Sequence, residues 1–229
     1  MIRTTRVICF FVIISVSYPT ALLANEGWKL IEDDEGVAVY VRQLEGDSAS
    51  QFKGVCVVNR PIEIVAAILA DIAAYPEWFY KCIEAKKIPK NDSTDLDFII
   101  YMAIKAPWPL LDRDALFHVK TAIDYDSEKI TINSVALKEP LVPIQEDYVR
   151  ITDAEQQWIL EKNTAKATRV IFINRTDAGG SVSSFISGLG SRKSVYHSLI
   201  NMKEIAHDPK FKKLGRELEY RFKPKTERP

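Results

Sequence analysis

Between Gly36 and Thr176 apolar and polar positions alternate in short runs, and one stretch of helical spacing interrupts them. Val37-Ala38-Val39-Tyr40-Val41 and Gln51 to Val58 follow the period of two that marks half-buried strands. Ahead of them, Trp28 to Asp34 reads as a short helical lead. After Asn59-Arg60-Pro61, the residues Ile62, Val65, Ile68, Leu69 and Ile72 recur at helical spacing up to the breaker Pro76. A broken extra turn follows around Glu77-Trp78-Phe79. Strands are then predicted at about 82–89, 96–105, 114–124, 129–138, 147–152, 156–162 and 167–176, between turn clusters such as Asn-Asp and Asp-Tyr-Asp.

Short connections between successive strands predict antiparallel pairing. On 96–105, Phe98, Ile100 and Met102 share one face. On 167–176 the charged Arg169 and Arg175 put their own face outside, so Thr168, Val170, Phe172 and Asn174 point inward. Past the turn Asp177-Ala178-Gly179-Gly180, with Ser181 or Ser183 as a cap, Phe185, Leu189, Val195, Leu199, Met202 and Ala206 form a helical stripe. A sheet with one watered face needs its other face covered, and this last helix is the long amphipathic element available for it. The chain is therefore read as α+β: one curved antiparallel sheet with a long C-terminal helix, in a single domain over 25–207.

Two end segments stand apart. Arg3 and Arg6 precede an uncharged stretch from Val7 to Ala24 that ends in small and polar residues, the layout of a signal peptide over 1–24. Its removal predicts an exported protein, periplasmic or extracellular; an uncleaved membrane anchor is the alternative. Residues 208–229 hold eight Lys or Arg against four acids and are expected to form a basic, solvated tail, with an extended solvated helix at Lys210-Phe211-Lys212-Lys213 and contact with anionic membrane as its weaker alternative.

Composition narrows the function. Thirty-one basic residues balance 31 acidic ones, so no basic face for nucleic acid is expected. Cys56 and Cys82 remain after the leader; their separation in strand order favours free thiols over a bridge. No CxxC or HExxH spacing suggests a metal, and no cofactor is expected. Ser187-Gly188-Leu189-Gly190-Ser191 fits neither a nucleophile elbow nor a phosphate loop. His118 shares a strand face with Lys120, His197 lies off the apolar helical stripe, and His207 sits at a helix end, so none pairs with a nucleophile.

Several motifs in order resemble one family. Pro107-Trp108-Pro109-Leu110-Leu111-Asp112-Arg113-Asp114 is similar to the START-domain signature, in which a Pro-rich turn leads to an Arg-Asp pair opening a strand. Ser134-Val135, Pro140-Leu141-Val142-Pro143 and Val149-Arg150 resemble its strand, gate loop and returning strand; Thr168 and Val170 with the following Gly turn resemble its last strand and lid. The resemblance runs from Trp28 to about Ala206 and implies a helix-grip (START/Bet v 1-like) fold enclosing an apolar tunnel for one lipid.

On that reading the tunnel is lined by Phe98, Ile100, Met102, Phe117, Val119, Ser134, Trp158, Thr168, Val170, Phe172, Asn174, Phe185 and Leu189. Ser134, Thr168 and Asn174 are its polar handles. The gate comprises Leu141 and Val142, with Gly188 and Gly190 loosening the lid helix. Arg113, Asp114 and Arg150 are structural. The chain departs from the family where Val182-Ser183 replace a proline before the lid, and where Val119 stands in place of the inward Arg of some sterol-binding members. The implied function is non-catalytic binding, with transfer, of a lipid by a monomer in transient contact with a membrane. A polyketide cyclase or aromatase of the same superfamily and a lipid-responsive interaction module are the rival functions.

Overall fold

The computed structural model describes residues 27–179 and 184–218. Ten strands form one sheet: β1 (Lys29–Asp34), β2 (Val37–Arg42), β3 (Gln51–Val58), β4 (Cys82–Ile88), β5 (Asp97–Ile104), β6 (Asp112–Asp124), β7 (Lys129–Ala136), β8 (Tyr148–Ile151), β9 (Ala154–Thr164) and β10 (Ala167–Thr176). The helices are α1 (Ile62–Ala70), α2 (Tyr75–Trp78), α3 (Ser184–Ile205) and α4 (Pro209–Leu218). The order across the sheet is β1-β2-β3-β10-β9-β7-β6-β5-β4. The first three strands thus join the rest through β3 against β10.

The predicted helical lead is instead β1, paired antiparallel with β2 through a tight turn at Glu35 and Gly36, where both φ angles are positive. Its polar run Glu32-Asp33-Asp34 suits an edge strand that faces water. Pro76 does not end a helix but opens the single turn α2, after a 3₁₀ turn at Ile72–Ala74. All pairings along the main path are antiparallel. β8 departs from that expectation by pairing parallel with the first residues of β6, Asp112 to Ala115. β7 pairs with β6 only from Phe117 onward, and the chain then leaves and returns to occupy the edge that β7 has vacated.

The inward face of the sheet carries the main core with α1, α2, α3 and α4 packed over it. α3 lies across β2, β3 and β10, and approaches most closely at Gly54. α1 also covers the sheet, against β9 and β10, so the last helix is not the sole cover. On the opposite face Ile99, Tyr101, Ala103 and Leu116 form a second small core under Leu137, Val142 and Tyr148. β5 is therefore buried on both faces, which is why its sequence runs nearly unbroken in apolar residues.

The basic tail begins as structure. Phe211 is fully buried in the core, Gly215 packs against the backbone of Ile64 in α1, and Lys210 pairs with Asp71 at 2.8 Å. Packed structure thus continues beyond 207, because α4 gives α1 an apolar face to rest on. No described helix is long and apolar enough to cross a membrane. The expected signal peptide and residues 219–229 lie outside the described residues, as do Ser181, Ser183 and Gly180.

The candidate ligand cavity

Two cavities lie between the sheet and its helical cover. The larger, about 400 Å³, is walled by Met102 and Ile104 of β5, Arg113, Ala115 and Phe117 of β6, Asn174 and Thr176 of β10, and the α3 residues from Ile186 to Ser194. The smaller, about 90 Å³, lies under α1, with Phe98, Ile100, Val119, Ser134 and Trp158 on its walls. Gln156 touches both. Aromatic rings stand between them: Trp158 stacks on Phe172 at 3.8 Å between centroids, and Phe79 meets both edge-on at 6.5 and 6.0 Å. The interior is thus two chambers with an aromatic partition, where a single tunnel is expected from the sequence.

The expected lining residues divide accordingly. Met102, Phe117, Asn174 and Leu189 line the larger chamber, while Phe98, Ile100, Val119, Ser134 and Trp158 line the smaller. Thr168, Val170 and Phe172 do point inward but are fully packed and line neither. Thr168 is no handle for a ligand, because its hydroxyl donates to the carbonyl of Arg60 at 2.8 Å and so ties β10 to the turn before α1. Phe185 falls in the first turn of α3, with its side chain outside the described ones.

The mouth differs from the expected gate. Its exposed lining residues are Lys81, Lys105, Pro107, Ile186, Leu189, Gly190 and Lys193, which belong to the β5–β6 loop, the α2–β4 turn and α3. Gly190 has open space where a Cβ would point, and Gly188 lies against the Phe52 ring. Leu141 and Val142 are elsewhere. Val142 packs on the outward core over β5 and β6, and Leu141 is half exposed.

Arg150 holds that loop down. Its guanidinium grips both oxygens of the buried Asp114 at 2.7 and 2.8 Å and donates to the carbonyls of Val142 and Pro143 at 3.3 and 3.5 Å. Asp114 raises the Arg150 pKa. The adjacent Arg113 has the opposite parity on β6 and borders the larger chamber, donating to the carbonyl oxygens of Leu111 and Ala178. The pleat gives the pair opposite parity; both residues border the chamber, and the Asp114 carboxylate is taken by Arg150.

Polar groups missed from sequence complete the site. Ser187, Ser191 and Ser194 line the chamber, and Ser198 one turn on is fully buried, accepting the Tyr80 amide at 3.0 Å. Their spacing of four, three and four is a serine stripe legible in the sequence, facing the sheet. Gln156, two residues before Trp158, carries a similar signal as a polar residue on an inward strand face.

The remaining candidate chemistry is dispersed. His118 bonds Asp97 at 2.6 Å, His197 stacks on Tyr80, and His207 meets Arg60 at 2.6 Å; none borders a chamber. Both thiols are free, and burial pushes each up to about 12. Among the described residues no cluster of His, Cys, Asp or Glu is placed to hold a metal.

A START-domain family model matches residues 14–197. The chain belongs to the START-domain family. A solved STAR-related lipid transfer protein fragment from Xanthomonas axonopodis is 26% identical, with a TM-score of 0.72, covering 80% of this chain and all of that one. Human STARD10 superposes with a TM-score of 0.74 at 21% identity over 88% of this chain and 84% of its own, a likeness of fold. Rat phosphatidylcholine transfer protein is 21% identical, over 79% of this chain and 84% of its own. In START terms the observed fold is the expected helix grip, with α3 as the gripped helix.

Proposed function

We propose that this START domain binds one lipid in the larger chamber and transfers it between membranes without chemical change. The observation that carries the reading is the chamber itself: about 400 Å³, mostly apolar, with a few hydroxyl and amide groups, between a rigid sheet and a helix. Among the described residues its lining includes no His or Cys, and its one carboxylate, Asp114, is held by Arg150. That supports carriage over catalysis. Affinity would come from withdrawing hydrocarbon from water, at ~25 cal/mol per Å².

The mouth supports exchange with a bilayer. Trp108, 92% exposed, sits in the rim loop between the lining residues Pro107 and Leu110; Leu111, Ile186 and Leu189 are about half exposed. Indole, short apolar side chains and lysines together suit transient seating among headgroups. The leader at 1–24 would place this activity outside the cytoplasm, and mature protein beginning at Asn25 would support that location. The working test is transfer of a fluorescent phospholipid between vesicle populations. Catalytic amounts of the protein should accelerate it, and Trp108→Ala should slow it severalfold with the bound lipid retained. No acceleration by the wild type would contradict transfer.

A further inference from the structure

The lining of the larger chamber is unevenly charged. Four cations border it, Lys81, Lys105, Arg113 and Lys193, against one acid. Both oxygens of that acid, Asp114, are taken by Arg150, and Lys105 is matched by Asp112 at 3.0 Å. Lys81, Lys193 and Arg113 form no ion pair among the described residues. The two lysines are exposed at the rim, where water screens them. Arg113 is the distinctive one: it is only 7% exposed, and its hydrogen bonds go to neutral carbonyl oxygens.

A buried guanidinium whose hydrogen bonds go to neutral acceptors has lost hydration that those acceptors and the nearby Asp112 charge only partly return. Burial accordingly holds its pKa below the ordinary arginine value. Beyond this cationic rim the walls are Met102, Ala115 and Phe117, which suit hydrocarbon.

Resting on the lipid-binding reading above, we infer that the chamber selects amphiphiles with an anionic head, whose oxygens meet Arg113 while Lys81 and Lys193 flank it. A zwitterionic choline head would place a fixed positive charge beside three cations. An uncharged head would leave Arg113 unmatched. The preference therefore runs against both.

The test offers the full chain equimolar phosphatidylglycerol, phosphatidylcholine and diacylglycerol of identical acyl chains in mixed vesicles, and reads the bound lipid by native mass spectrometry. Phosphatidylglycerol should be loaded in about tenfold excess over either competitor, equivalent to ~1.4 kcal/mol. Arg113→Gln should remove most of that preference while total loading persists. The Lys81→Ser/Lys193→Ser double variant, altering two exposed side chains, should reduce the preference severalfold, and it carries the test if the Arg113 variant fails to fold. Equal loading of the three lipids overturns the anionic-head inference and leaves the carrier reading intact. Loading of none overturns both. Inorganic phosphate alone should neither stabilise the protein nor displace phosphatidylglycerol; doing so would assign the site to a free anion and overturn the headgroup as its occupant.

Discussion

Single positions fix how closely this sheet and its helices meet. A Cβ on Gly54 would lie 2.5 Å from both Leu199 Cδ1 and Val195 Cγ1, so α3 rests directly on the β3 backbone. Valine is stiff at χ1 and cannot yield easily. Gly54→Ala should therefore destabilise the fold by roughly 1–3 kcal/mol in urea unfolding; an unchanged midpoint would mean the helix shifts at little cost. Asp47 is a second such position, joining the loop after β2 to Arg175 on β10 with a contact of 2.8 Å. The Arg175 hydrogen bond holds its carboxyl below the ordinary value. A depressed folded pKa contributes stability at neutral pH that is lost as pH falls below about 4 and through the folded value. Asp47→Asn should accordingly be less stable than the wild type at pH 7, with the difference closing in acid; a gap constant down to pH 2 would assign it to packing.

At the scale of elements, the 139–147 loop is governed by one ion pair. Replacing Arg150 by Ala leaves Asp114, whose side chain is fully buried, without its cation, a loss of about 3–5 kcal/mol. It also frees the carbonyls of Val142 and Pro143. Hydrogen exchange should speed up across 139–147 first, and uniform protection there would show the loop held by other contacts. The strands of this sheet were legible because β3 and β10 alternate cleanly, with one face dry and one wet. β1 was not, since a polar edge strand of six residues has neither period strongly enough to exclude a short helix. In α4 the helix is legible but its packing is not, because a count of lysines says nothing of Phe211, which enters the core, or of Gly215, which lets α1 approach. In the site, parity identified the inward faces but could not say which inward residues border space and which fill it. Phe172 and Val170 are packed solid, whereas Asn174 borders the larger chamber. That distinction depends on how far helices stand off the sheet, a property of the assembled core.

For the molecule as a whole, the START fold yields a sheet that grips α3 at Gly54 and stands away from it near Ser191, leaving the chamber between. Both members of the signature pair border the chamber, with the Asp114 carboxylate taken by Arg150, which also holds the 139–147 loop. The central claim is that the chamber holds a lipid. It is tested most directly by purifying the protein without detergent and comparing its native and denaturing mass spectra. The account predicts one discrete extra mass that disappears on denaturation and appears in the organic extract as a lipid. Protein that is empty as purified, and stays empty after incubation with mixed-lipid vesicles, would contradict it.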